Sequence, residues 1–170
     1  MTNTLAWQPL SKEEEEDAWA RFHAAFDFPW GIYPGREPMP SITYAIRHAF
    51  DRDLTHRYAL EGDLNRKTRA AFQRCIRSGE KMYALDWQHQ CFWFDPHVSF
   101  DADDVGAWDV PVLPDGDFYV FLPDDCRFCL YGDCVNHTLA VYGHALIEAF
   151  ASGQPTLFSR VIRIDGEPVG

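Results

Sequence analysis

Four residues in the middle of the chain have side chains that can do acid–base chemistry. They fall on or beside a predicted hairpin with strands at 82–87 and 91–95, and they are Asp86, His89, Asp95 and His97. Carboxylates and imidazoles transfer protons near neutral pH, and both bind divalent metals. However, the set has no diagnostic spacing, and polar residues at the end of a hairpin often face solvent or fix the turn. The sequence therefore leaves a catalytic and a structural interpretation open.

A second group of residues has the spacing of a metal site. The pattern C-x2-C-x4-C-x2-H is formed by Cys126, Cys129, Cys134 and His137. Three thiolates and an imidazole suit tetrahedral Zn²⁺. Against this, the residues between the first two cysteines resemble a strand, in which positions three apart point to opposite faces. We therefore favour ordinary reduced cysteines, and we predict no metal and no other cofactor.

The segment from Met82 to Cys126 is both acidic and aromatic. It contains ten aspartates and no glutamate, lysine or arginine, in a chain with 26 acids, 15 bases and a net charge of −11. Ten aromatic residues are interleaved with these aspartates. A surface built from this segment would combine a negative field with apolar anchors, which favours a basic protein partner. The alternative is that the charge only keeps the protein soluble.

A loop inside this segment is the best candidate to display such contacts. It begins at about residue 101 and is bounded by prolines, with a short strand predicted at 108–112. The candidate contacts are Asp101, Asp103, Asp104, Trp108 and Asp109. The competing interpretation is that Trp108 and Phe100 anchor the loop onto the core, since large aromatic side chains are usually buried.

Composition excludes several classes of function. An acidic chain is a poor direct ligand for nucleic acid, because phosphate must be met by lysine and arginine. No run approaches the roughly 20 apolar residues that cross a bilayer, so no membrane span is expected. Residues 1–10 lack a basic region followed by an apolar run, and the five cysteines are an odd number. Both observations favour a cytoplasmic protein with reduced thiols.

Hydrophobic periodicity predicts an α+β fold in a single domain that spans residues 1–170. Two longer helices are expected at 12–25 and 64–76, and a short C-terminal helix at 145–151. Irregular segments are expected at 28–40 and 51–62. Further strands are expected at 41–46, 117–122, 126–131, 138–142 and 158–164. Because the connections are too short for most parallel crossovers, the sheet should be mainly antiparallel.

The second predicted helix carries a basic stripe opposite its apolar face. The stripe consists of Arg66, Lys67, Arg69, Arg74 and Arg77. A solvated helix face is the simplest interpretation. Contact with phosphate, or ion pairs with the aspartates of the same chain, are the alternatives.

Several blocks of the sequence resemble a bacterial family catalogued as domain of unknown function 2716. The most specific block runs from Leu85 to Pro96, and the segments 40–44, 114–119 and 138–143 are also similar to the family. The chain departs from the family pattern at 132–135, which makes Cys134 a feature of this variant. The resemblance implies a compact bacterial cytosolic domain and assigns no activity.

Two functions remain as hypotheses. The first is a non-enzymatic acidic binding module, such as an antitoxin or immunity protein, that engages a basic protein partner. The second is a small enzyme or ligand-binding domain that uses the four Asp and His residues of the hairpin. The second hypothesis requires at least three of those groups to converge in a pocket with perturbed protonation.

Overall fold

The computed structural model describes residues 5–26, 37–38 and 40–170. The predicted connector at 28–40 lies largely outside the described residues. Three α-helices are present in the described part of the chain: α1 (Lys12–Phe26), α2 (Leu54–Cys75) and α3 (His144–Ser152). Nine strands are present there: β1 (Trp7–Pro9), β2 (Ser41–Ala45), β3 (Met82–Asp86), β4 (Phe92–Phe94), β5 (Tyr119–Pro123), β6 (Cys129–Asp133), β7 (Thr138–Tyr142), β8 (Val161–Ile164) and β9 (Glu167–Pro168).

The strands form one antiparallel sheet with the order β1-β4-β3-β5-β6-β7-β2-β8-β9. The strands β5, β6 and β7 are consecutive both in the sheet and along the chain, and β3 and β4 form a hairpin beside them, while residues 95–118 connect β4 to β5. The exceptions are β1, which pairs with β4, and β2, which lies between β7 and β8. The α+β prediction with an antiparallel sheet, two longer helices and a short C-terminal helix is confirmed.

The sheet has an apolar layer on each face, and this explains why its central strands are fully buried. On one face, Phe22 and Phe26 of α1 pack against Leu85, Leu122 and other side chains of the sheet. On the other face, α2 and α3 cover alternate residues of the same strands, such as Phe121. Because successive side chains of a strand point to opposite faces, the central strands are apolar at both parities.

The start of α1 follows the sequence signal closely. The Ser11 side chain accepts a hydrogen bond from the Glu14 amide at 3.1 Å, and the Glu14 carboxylate accepts one from the Ser11 amide at 2.8 Å. This reciprocal capping satisfies amides that a helix N-terminus leaves unpaired. The cap fixes where α1 begins relative to the β3–β4 hairpin, because the Leu10 amide donates to the Cys91 carbonyl at 2.9 Å.

The prediction of a loop at 51–62 is wrong, because α2 begins at Leu54. Asp53 caps this helix by accepting a hydrogen bond from the His56 amide. The first turns of α2 carry no apolar stripe, since the buried positions there include Glu61, Gly62 and Asn65. The Glu61 carboxylate is neutralised by Arg57 at 2.9 Å. A helix that buries polar groups in this way lacks the periodicity from which it would be predicted.

Two further differences concern short strands. Residues 108–112 pair with no other strand, and they instead lie as a loop on the α2 side of the core, with Val110 and Val112 buried. Conversely, β1 and β9 form the two edges of the sheet and were not predicted. At three and two residues, they are too short to show an alternating pattern.

Candidate functional site

The ten aspartates of the acidic segment do not form one continuous surface. Three of them, Asp86, Asp95 and Asp117, are buried. The exposed remainder is divided between the two ends of the sheet and the loop at 101–109. In the β3–β5 pairing Asp86 lies opposite Tyr119, whereas Pro123 lies at the other end of β5. Asp115 is therefore at one end of the sheet, while the pair at 124–125 is at the other.

The loop at 101–109 keeps four of its predicted contacts on the surface, and we call these residues the acidic loop. The side chains of Asp101, Asp103, Asp104 and Asp109 are all exposed. Arg66 of α2 lies 3.4 Å from the Asp103 carboxylate. No other lysine or arginine in the described part of the chain lies within 4.0 Å of these four carboxylates. The basic stripe therefore neutralises only a small part of the loop.

The structure contradicts the prediction that Trp108 is a surface contact. Its side chain is 4% exposed, and its Nε1–H donates to the Ala102 carbonyl at 2.9 Å. The ring packs against the rings of Trp7, Phe94 and Phe100, with centroid distances of 5.4 to 5.6 Å. Trp108 is thus the anchor of the acidic loop, as the competing interpretation held. Burial in an aromatic cluster stabilises the folded chain, and a ring that is buried in this way cannot contact a partner.

An exposed aromatic residue that the sequence reading missed lies beside the acidic loop. Tyr58 of α2 is 55% exposed, and it lines a shallow cavity of about 420 Å³ together with Asp103, Asp104 and Val105. Leu54, one helical turn earlier on the same side of α2, is 63% exposed. The i, i+4 spacing of Leu54 and Tyr58 places them on one side of a helix. This spacing could not be used as a signal, because the helix was not predicted to begin at Leu54.

A second candidate site is formed by Asp86, His89 and Asp117. The His89 Nδ1 atom lies 3.0 Å from the Asp86 carboxylate and 3.3 Å from the Asp117 carboxylate. Both aspartate side chains are buried, at 8% and 3% exposure, whereas the His89 side chain is 71% exposed. Among the described residues, these three are the one group of His, Cys, Asp or Glu residues whose ligand atoms all lie within 4.8 Å of one another.

The turn of the β3–β4 hairpin holds these carboxylates in place. The Gln88 amide lies 3.1 Å from each of the two carboxylates, and the His89 amide donates to Asp86 at 3.2 Å. Asp117 also accepts a hydrogen bond from the Phe118 amide at 2.8 Å. The carboxylates therefore have a structural role, since they satisfy amides of a tight turn.

The protonation of this cluster is perturbed. Burial raises the pKa of Asp86, and a hydrogen bond with Asp117 raises it further, because two adjacent carboxylates are more stable when they share a proton. The hydrogen bond with Asp86 raises the pKa of His89, and the charge of Asp117 adds to this effect. A cation bound at this cluster would compete with the protons of Asp86 and His89, which the cluster binds more strongly than isolated side chains would.

The other two residues of the predicted set lie elsewhere. Asp95 follows β4 at the opposite end of the hairpin, about 17 Å away along the strand, since the register places it five residues from Asp86. Its carboxylate accepts a hydrogen bond from the His97 amide at 2.9 Å, and the His97 ring lies 2.9 Å from the Ile76 carbonyl. Of the four predicted residues, only Asp86 and His89 come together, and the third member of the group, Asp117, comes from the start of β5.

The geometry of the cluster defines what it can do chemically. Because the carboxylates hold Nδ1 of His89, the Nε2 atom is the nitrogen left to exchange a proton with a ligand. A metal with bonds of about 2.1 Å separates neighbouring ligand atoms by roughly 3.0–3.4 Å. The two distances from Nδ1 of His89 to the carboxylates, 3.0 and 3.3 Å, fall in this range. Cys91 is buried next to Asp86, and this burial raises the pKa of its thiol to about 12, which disfavours the thiolate that a nucleophile requires.

The cysteine group does not come together. Cys129 is fully buried in the layer beneath α1, where burial raises its pKa well above the ordinary value. The Cys126 thiol lies 3.9 Å from the Arg21 carbonyl, and His137 packs its ring on Phe50, with centroids 4.7 Å apart. Cys126 and Cys129 therefore lie on the α1 side of the sheet, whereas the ring of His137 packs on the other side.

The fold and both sites define a small α+β domain built on one antiparallel sheet, with an acidic loop and an Asp–His–Asp cluster. Residues 9–147 match the family described as "Protein of unknown function (DUF2716)". The chain belongs to this family, which confirms the resemblance read from the sequence. It is 32% identical over 161 residues to "Uncharacterized protein YxiI" of Bacillus subtilis (strain 168), covering 91% of this chain and 98% of that protein. No solved structure gives a significant match. No helix among the described residues combines the length and the apolar character that crossing a membrane requires.

Proposed function

We propose that this protein is a non-enzymatic binding module, of the antitoxin or immunity type, whose acidic loop engages a basic protein partner. The observation that carries the proposal is the shallow cavity in which Tyr58 lies beside Asp103 and Asp104. Aromatic side chains supply much of the energy of protein interfaces, and charges around them supply selectivity and association rate. Tyr58 takes the place that the sequence reading gave to Trp108.

The way in which the loop is held supports this proposal. Trp108 fixes the loop to the core, and Asp104 closes a 3-10 turn by accepting a hydrogen bond from the Gly106 amide at 2.9 Å. Gly62 of α2 brings the helix backbone close to the Asp103 carbonyl, because an added Cβ would lie 3.3 Å from it. A loop that is held in place by these contacts loses little conformational entropy when a partner binds.

Charge defines the partner. Of the four carboxylates of the acidic loop, only that of Asp103 pairs with a described guanidinium. This is the guanidinium of Arg66, which also pairs with Asp63. A complementary surface would therefore present lysine or arginine side chains, together with a recess for the Tyr58 ring. A toxin whose active site binds phosphate would have such a surface. Covering that surface would be the mechanism of protection.

The test compares two variants that remove the same charge from different places. The variant Asp101→Asn/Asp104→Asn removes two charges from the acidic loop, and asparagine can still cap the 3-10 turn. The control variant Glu13→Gln/Glu16→Gln removes two exposed charges from α1, which lies on the opposite face of the sheet. A basic protein retained on the wild type at low salt is identified by mass spectrometry, purified and measured by surface plasmon resonance.

We expect the loop variant to associate about tenfold more slowly than the wild type at low salt, because electrostatic steering is lost. The control variant should associate at the wild-type rate. A third variant, Tyr58→Ser, should raise the dissociation rate instead. The proposal is wrong if the loop variant and the control variant bind the partner equally well, or if the wild type retains no basic protein at low salt.

The convergence of Asp86, His89 and Asp117 favours a second candidate, a small enzyme or ligand-binding domain that uses this cluster. Its test is a calorimetric titration with Mn²⁺, which prefers oxygen and imidazole ligands over the thiols of the chain. One equivalent should bind to the wild type and to the control His97→Gln, but not to Asp117→Asn. No heat of binding in the wild type would eliminate a metal-dependent role for the cluster.

A further inference from the structure

A cavity of about 450 Å³ lies at the start of α2, on a different side of this helix from the acidic loop. Its wall is formed by α2 itself, by the turn that precedes it and by the segment that follows α3. The basic side chains that line it are His48, Arg52 and His56. In a protein with a net charge of −11, three such side chains in one cavity are unexpected.

These basic groups are not neutralised from within the cavity. No described carboxylate lies within 4.0 Å of the Arg52 guanidinium or the His48 ring. His56 pairs with Asp53 through Nδ1, at 2.8 Å, and this leaves Nε2 available to a ligand. The cavity is at the N-terminal end of a 22-residue helix, where the carboxylate of the capping residue Asp53 offsets part of the positive potential of the helix dipole.

The single acid in the lining is already paired. Asp63 lies 2.8 Å from the Lys67 ammonium and 3.1 Å from the Arg66 guanidinium. Its other oxygen accepts a hydrogen bond from the Thr156 amide at 2.8 Å. Asp63 therefore ties the segment after α3 to the helix, and its negative charge is offset by two cations outside the cavity.

We propose that this cavity binds a small phosphomonoester, with Arg52, His48 and His56 as ligands of the phosphate group. A guanidinium donates two parallel hydrogen bonds to phosphate oxygens, and the imidazoles can donate to the others. Thr156 and Ser159, which both carry hydroxyl groups, also line this cavity. Leu60 supplies an apolar surface for a short organic group, and the volume exceeds what phosphate alone would fill.

The experiment is an NMR titration of the full chain, labelled with ¹⁵N, and the probes are inorganic phosphate, glycerol 3-phosphate, glycerol and acetate. Inorganic phosphate and glycerol 3-phosphate should shift the amide signals of Thr156 and Ser159 in a saturable manner, with glycerol 3-phosphate the tighter ligand. Glycerol and acetate should cause no saturable shift. Equal affinity for the two phosphate compounds would overturn the assignment of an ester.

Two arginine variants distinguish this site from general attraction of anions. Arg52→Gln should weaken binding of glycerol 3-phosphate about tenfold or more, because charge-assisted hydrogen bonds are lost. Arg47→Gln is the matched control, since Arg47 is an exposed arginine in the same connection between β2 and α2 but does not line the cavity. The proposal is overturned if the two variants weaken binding equally, or if acetate binds as well as phosphate. Failure here would not affect the acidic loop, whose test uses other residues.

Discussion

Truncation of Trp108 tests whether the acidic loop is held by an aromatic anchor. The side chain is 4% exposed, and its ring lies within 6.2 Å, centroid to centroid, of those of Trp7, Phe94, Phe100 and Phe121. Loss of a large buried aromatic side chain costs about 3–5 kcal/mol, as a transfer term plus a cavity term. We therefore expect Trp108→Ala to lower the free energy of unfolding by that amount.

A second substitution separates the hydrogen bond from the packing. Trp108→Phe keeps most of the ring but leaves the Ala102 carbonyl without its Nε1–H donor. The cost of an unpaired buried carbonyl is about 1–3 kcal/mol, so this variant should lie between the wild type and Trp108→Ala. Trp87→Ala is the control, because Trp87 is 37% exposed and should cost less than half as much as Trp108→Ala.

Urea unfolding followed by far-UV circular dichroism measures these differences, provided that the slope of the free energy against urea is unchanged. In a chain of this length the Trp108→Ala variant should also melt about 6–20 °C below the wild type. If Trp108→Ala unfolds within about 1 kcal/mol of the wild type, the ring does not anchor the loop, and the reasoning that the acidic loop is held in place for a partner is refuted.

Two other predictions concern His89 and Gly143. Because the pKa of His89 is raised in the folded state, His89→Gln should be less stable than the wild type below about pH 6.5. The difference should vanish as pH rises through the folded pKa of His89. Urea unfolding measured across pH checks this, and a difference that grows toward high pH contradicts it. Gly143 has φ +98°, and an added Cβ would lie 2.7 Å from the Arg127 carbonyl oxygen. Gly143→Ala should therefore cost about 2 kcal/mol or more, whereas Gly153→Ala, which meets no atom within 4 Å, is the control in the same urea experiment.

The parts of the fold that sequence reasoning predicted correctly are those in which local pattern and tertiary environment agree. The β3–β4 hairpin consists of two short apolar runs joined by a polar turn, and α1 carries both a capping box and an apolar stripe ending at Phe26. By contrast, the first turns of α2 bury Glu61 and Asn65, so no apolar period marks them. The helical conformation of such positions depends on ion pairs and helix packing that form only in the folded chain.

The candidate sites show the same limit. Asp86 and His89 are three residues apart in a tight turn, so their meeting could be predicted from local structure. Asp117 joins them only because β5 pairs with β3 in a register that places Tyr119 opposite Asp86. That register depends on contacts between segments far apart in sequence, which one sequence does not reveal. Trp108 was assigned to the surface because the sequence could not show the aromatic cluster that receives it.

The position of β2 in the sheet limits when this strand can fold during translation. Ser41–Ala45 pairs on one side with β7 and on the other with β8, so each partner is translated on the order of 100 residues later. At typical elongation rates, a ribosome needs about 5–20 s to make that length. Throughout that interval the segment 41–45, which includes Ile42 and Tyr44, has neither of its strand partners. Strand segments without partners can pair with other chains, so this stage of synthesis is open to aggregation.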